Sequence, residues 1–176
     1  MTTVAWSALA LTAVIATAAL ALGLRLAARV RELRDSGRGG PPRPSPGTPV
    51  LRFATADTTG AALDETALAG PDVLVALLLE GCGPCRAQLP AIRRLMADAP
   101  PGEPRPIAVV VGAPAGRAEY VRALGPVARV VEQDDAGAGL AAALGVGAFP
   151  CLVVAGGGVV RQVADAPGDL VPGAVR

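Results

Sequence analysis

The stretch from Val73 to Arg86 constrains this chain more than any other. Seven consecutive apolar residues, Val73 to Leu79, run into Glu80-Gly-Cys-Gly-Pro-Cys-Arg86. An unbroken apolar run of that length reads as a strand buried on both faces. The residues after it start a helix, with Pro84 in the first turn, where a missing N–H costs nothing. Cys82 and Cys85 then stand one helical turn apart over the positive end of the helix dipole, where a thiolate is stabilised. The second thiol can attack the first and close a disulfide. The pair has the layout of a reversible dithiol/disulfide couple.

Composition removes several other chemistries. The chain contains no His and no Lys, so every basic residue is Arg. Without His, neither a Ser-His-Asp nor a Cys-His catalytic arrangement nor a His-ligated metal site can form. Cys82 and Cys85 are half a zinc knuckle by spacing. With Cys151 as the one further cysteine, a closed four-ligand site would need a carboxylate, so no metal is expected. Three cysteines are also too few for a disulfide-stapled scaffold. Net charge is +1, which argues against a nucleic-acid partner. Aromatic residues make up only 2% of the chain, so the core must be built from Val, Leu, Ile and Ala.

The first 49 residues differ from the rest. Val4 to Leu24 carries no charge. As a helix it would span about 31 Å, enough for a bilayer core. Trp6 lies near one end, at interfacial depth. A cleaved signal peptide is the alternative, but no positive segment precedes the run, and the run exceeds the usual apolar stretch of such a peptide. Residues 1–35 thus read as a membrane anchor with a basic flank. Residues 36–49 hold five prolines and four glycines and read as a tether that does not pack. Residues 50–176 are long enough for one domain with its own core.

Within that domain, short apolar runs alternate with helical patterns. Strands are expected at Val50 to Ala54, Val73 to Leu79, Ile107 to Val111, Val127 to Val131, Cys151 to Ala155 and Val159 to Val163. Helices are expected at Cys82 to Ala97, Arg117 to Leu124 and Ala136 to Leu144. In the first helix Leu89, Ile92, Leu95 and Met96 should face inward, Arg86, Arg93 and Arg94 outward, and Pro90 should kink it. Gly156-Gly157-Gly158 signals a hairpin between the last two strands. The class is α/β, a mixed central sheet flanked by helices. Gly137-x-Gly139-x-x-Ala142 looks like a dinucleotide fingerprint, but no acidic residue follows at the required distance. It reads as a small-residue helix.

Pro150 enters an apolar strand directly. Either its peptide bond with Phe149 is cis, or it is a trans proline opening an edge strand. Local sequence leaves both open.

Taken together, the strand, Cys82-Gly-Pro-Cys85-Arg, a helix containing Pro90, and Gly145-Val-x-x-x-Pro150 followed by a strand hairpin resemble the thioredoxin superfamily over residues 50–165. The anchor and proline-rich tether resemble its membrane-bound TlpA-like branch, and the arginines after the span resemble the MauD-type proteins of that branch. The resemblance implies a thioredoxin-like fold and thiol–disulfide exchange with protein substrates. Cys82 matches the attacking cysteine and Cys85 the resolving one. Pro150 matches the cis-proline beside the dithiol, and Phe149 the residue whose backbone binds a substrate strand. No cofactor is implied beyond the cysteine pair, but an electron-donating partner must restore it. A non-catalytic module of the same fold, binding or helping to mature a partner, is the alternative.

Four positions depart from the pattern: Ala76 where thioredoxin has a buried acid, Gly81 where an aromatic is usual, Cys151 after the proline, and a short terminal segment, Pro167 to Arg176, containing Pro172. Glu80 is an auxiliary candidate as proton acceptor for Cys85, against the plainer reading of a solvated loop carboxylate. Cys151 is a candidate for a third redox thiol, against that of a small apolar filler. The TlpA-like resemblance places the domain outside the cytoplasm, whereas Arg25, Arg29, Arg31 and Arg34 after the span favour the opposite topology.

Overall fold

The computed structural model describes residues 42–100 and 104–171. The anchor expected at 4–24 lies outside them. Among the described residues no helix is long and apolar enough to cross a membrane.

The centre is a five-stranded mixed sheet in the order β5-β4-β3-β6-β7. Strands β3 (Val73–Leu79), β4 (Ile107–Val111) and β5 (Arg129–Gln133) run parallel. β6 (Cys151–Gly156) is antiparallel to β3, and β7 (Val159–Ala164) antiparallel to β6. A two-stranded hairpin, β1 (Ala54–Ala56) and β2 (Ala62–Asp64), precedes it. The helices are α1 (Gly83–Ala97), α2 (Pro114–Leu124) and the short α3 (Gly139–Ala143).

The unbroken apolar runs of β3, β4 and β6 are buried on both sheet faces, and alternation along each strand divides the core in two. Val73, Val75 and Leu77 point to one face with Cys151, Val153 and Ala155, where α3 packs through Leu140 and Ala141. Leu74, Ala76 and Leu78 point to the other, with Leu152 and Val154, where α1 packs through Cys85, Leu89, Ile92 and Met96 and α2 through Tyr120 and Leu124. Truncating a fully buried leucine in such a layer costs about 2–5 kcal/mol.

Several expected boundaries shift for local reasons. The first strand begins at Ala54, not Val50, because Val50 and Leu51 give their N–H groups to Gly158 and Ala143. A turn at Asp57–Gly60 joins β1 to β2. α2 starts three residues early, at Pro114 in its first turn. Val127 and Ala128 both donate to Leu124, closing a turn that delays β5 to Arg129. α3 loses its expected first turn because the Asp135 carboxylate instead accepts the N–H of Gly137, and Gly139 sits at φ 54°. α1 runs on through Pro90. Its outward arginines are exposed as expected, and Leu95 is half-buried. The β6–β7 hairpin turns on Gly157 and Gly158, at φ 61° and 74°, which favour glycine.

The described part of the proline-rich tether packs, contrary to expectation. Gly47 donates to Val160, Val160 donates to Thr48, and Gly147 donates to Pro42. Arg43 pairs with Asp165. The segment thus lies along the open edge of β7, donating to it through Gly47 and accepting from it at Thr48, while the Pro42 carbonyl accepts from Gly147.

Candidate functional site

β3 ends at Leu79, and Cys82 follows as the N-cap of α1 in an extended conformation (φ −73°, ψ 111°). Its Sγ accepts the N–H of Cys85 at 3.1 Å, replacing the usual capping oxygen with sulfur. Backbone bonds from Cys82 N–H to Leu79 and from Arg86 N–H to Cys82 fix the turn. Cys82 and Cys85 form a disulfide across a Cα separation of 5.2 Å. The two sulfurs have unequal access: Cys82 is half-buried, whereas Cys85 is fully buried under α1.

The Phe149–Pro150 peptide bond is cis. The Phe149 carbonyl oxygen lies 3.8 Å from Cys82 Sγ. With the disulfide closed, sulfur carries no proton, so this is a contact; in the reduced state the thiol can donate there. Pro150 is buried, and Phe149 is half-buried where the two core layers meet. Cys82, Cys85, Phe149 and Pro150 are thus brought together from the N-terminus of α1 and the entry to β6.

Two candidates lie elsewhere. The Glu80 carboxylate accepts the N–H of Ala113, at the start of α2. It fills the space over Gly116, where a Cβ would collide with it. Ala113 caps α2 without a side-chain acceptor of its own, and Glu80 supplies one from the neighbouring strand end. Cys151 pairs in register with Leu77 and shares its sheet face, opposite to that of Cys85. Burial pushes its thiol up to about 11, with Arg43 acting weakly in the other direction. It is a free, fully buried thiol.

No motif signals the Arg86–Glu119 ion pair, 3.5 Å, which links α1 to α2. The α2 cap depends on β3 and β4 lying side by side, which brings Glu80, just after β3, to the N–H of Ala113. Among the described residues no three Cys, Asp or Glu side chains converge as a metal site.

No protein-family model and no curated protein matches this chain. Solved structures do. The thioredoxin domain of a thiol-disulfide oxidoreductase from Bacteroides vulgatus superposes with a TM-score of 0.56 at 15% identity, covering 74% of this chain and 92% of that one. A thiol:disulfide interchange protein of the thioredoxin family from Chlorobium tepidum gives 0.55 at 18% identity, covering 71% and 92%. A thio-disulfide isomerase from Thermus thermophilus gives 0.53 at 19% identity, covering 69% and 87%. These likenesses define the fold of the chain as thioredoxin-like, with a mixed central sheet.

Proposed function

We propose that this protein is a thiol–disulfide oxidoreductase that reduces protein disulfides through Cys82 and Cys85. The observation that carries the reading is the unequal pair at the start of α1: an accessible sulfur held by a helix N–H, and a buried sulfur bonded to it. In the reducing direction the Cys82 thiolate attacks a substrate disulfide and forms a mixed disulfide. Cys85 then attacks Cys82, releases the reduced substrate and leaves the protein oxidised. The exposed surface around Cys82 and the Phe149 backbone offer an edge to an extended substrate segment. The electrons reside in the sulfur pair, so no bound cofactor enters, and an external donor restores the dithiol. The Gly83-Pro84 dipeptide resembles that of reducing members of the superfamily. Potentials for such couples span roughly −270 to −120 mV, and a value near the lower end supports the reducing direction.

The apolar run at 4–24 and the basic flank support tethering to a membrane. The resemblance to the TlpA-like branch supports an extracytoplasmic domain, against the arginines that follow the span. An impermeant maleimide applied to intact cells tests this: labelling of reduced Cys82 without lysis is expected, and labelling only after lysis reverses the topology. Catalysis itself is tested by insulin reduction. Cys82→Ser is expected to abolish turnover, and retained turnover would refute the role given to Cys82.

A further inference from the structure

The resolving step raises a question of proton transfer. Cys85 must become a thiolate before its sulfur can attack Cys82 Sγ. As the Cys82–Cys85 bond forms, the bond from Cys82 to substrate breaks and the electron pair leaves on the substrate sulfur. Yet Cys85 packs among hydrocarbon side chains such as Ala76, Leu78, Leu89 and Ile92; the nearby polar groups are the Tyr120 phenol and, on the same helix, the Gln88 amide, neither of which is a base at neutral pH.

Among the described residues, the charged groups on the surrounding elements are engaged or turned outward. Just after β3, Glu80 accepts the N–H of Ala113. On α1, Arg86 pairs with Glu119 of α2, and Arg93 and Arg94 are exposed. Arg117 of α2 pairs with Glu132 and Asp134, and Arg122 bonds the Ala118 carbonyl. Arg129 of β5 pairs with Asp57, and Arg161 of β7 with Asp72. Asp169, in the turn after β7, is exposed. β4 and β6 carry no charged residue. The buried Tyr120 hydroxyl has no hydrogen-bond partner, and burial raises its pKa, so it stays a protonated phenol with no basic site to take the thiol's proton.

Building on the oxidoreductase reading above, we propose that Cys85 gives its proton to solvent hydroxide rather than to a side chain, which makes the mixed disulfide on Cys82 long-lived at neutral pH. The departing substrate thiolate takes a proton from water and returns the hydroxide. Over both steps the dithiol loses two electrons and two protons, and the substrate disulfide gains them.

Mixing the reduced full chain with one equivalent of 5,5′-dithiobis(2-nitrobenzoate) separates the two steps. Attack by Cys82 releases one thionitrobenzoate, and resolution by Cys85 releases a second. A fast first release is expected, followed by a slower second one whose rate rises about tenfold per pH unit between about pH 6 and 8, tracking the thiolate fraction. Ala76→Asp, which sets a carboxyl into that layer from β3, the strand that leads to the dithiol, is expected to accelerate the second release about tenfold or more at neutral pH and to flatten its slope. If that variant does not fold, the unsubstituted profile decides alone. A normal first release with a pH-independent second one overturns this proposal. A tenfold slower second release in Glu80→Gln overturns it too, by making Glu80 the internal base. Loss of the first release overturns the oxidoreductase reading, and this proposal with it.

Discussion

At the scale of single residues, Asp57 is the most heavily bonded carboxylate described. It is 9% exposed, accepts the hydroxyl and N–H of Thr59 and the N–H of Ala61, and pairs with Arg129 at 2.8 Å. The Thr59 and Arg129 bonds hold its carboxyl far below the ordinary 3.8, against the opposing effect of burial. A depressed folded pKa means that the stabilisation is complete above the unfolded value and is lost as pH falls below it. Asp57→Asn should therefore cost about 2–3 kcal/mol at neutral pH, and the gap from the unsubstituted protein should shrink steadily below about pH 4. Urea unfolding at several pH values measures both. A second prediction concerns Cys151. Facing away from the dithiol, it should tolerate Cys151→Ala with no change in the reduction potential of the couple and a stability loss of about 1 kcal/mol. A shifted potential would restore Cys151 to the redox chemistry. Its face was half legible in advance. Strand alternation groups it with Val153 and Ala155, but only the register with Leu77 shows that this group lies opposite Cys85.

At the scale of elements, the strands legible in the sequence are those buried on both faces. The runs at Val73–Leu79 and Ile107–Val111 left no other placement, and the structure keeps their boundaries. β2 was invisible because a three-residue strand with Leu63 as its one buried side chain carries no periodicity. The dithiol and Pro150 were legible by residue type, whereas the engagement of Glu80 depends on β3 and β4 lying side by side. That junction makes an unusual prediction for Gly116. Glycine inside a helix is worth about 1 kcal/mol less than alanine, so Gly116→Ala should stabilise α2 on propensity alone. A Cβ there displaces the Glu80 carboxylate and its bond to Ala113, offsetting the gain. The substitution should be neutral or destabilising in the native sequence and stabilising by about 0.5–1 kcal/mol beside Glu80→Ala. A double-mutant cycle with no coupling would mean that Glu80 does not cap α2.

At the scale of the whole molecule, the two core layers and the open edge of β7 account for how the site is carried. The cis-proline loop is supported from behind by Gly147 donating to Pro42, so the proline-rich segment braces it. Composition hid this, because proline content argues against self-packing while saying nothing about carbonyls offered to a neighbouring strand. A domain starting at residue 42 should be more stable than one starting at residue 50 by about 3 kcal/mol, near 1 kcal/mol for each of the three backbone bonds lost. Thermal and urea unfolding of the two compare them directly, and equal stability would show that the segment contributes no net energy. The account as a whole depends on Cys82 being the acidic, accessible sulfur of the pair. Thiolate absorbance near 240 nm, followed through a pH titration of the reduced protein and of Cys85→Ser, measures this most directly. The expected Cys82 pKa is about 7 or below; a value at or above the ~8.5 of a free cysteine would contradict the account.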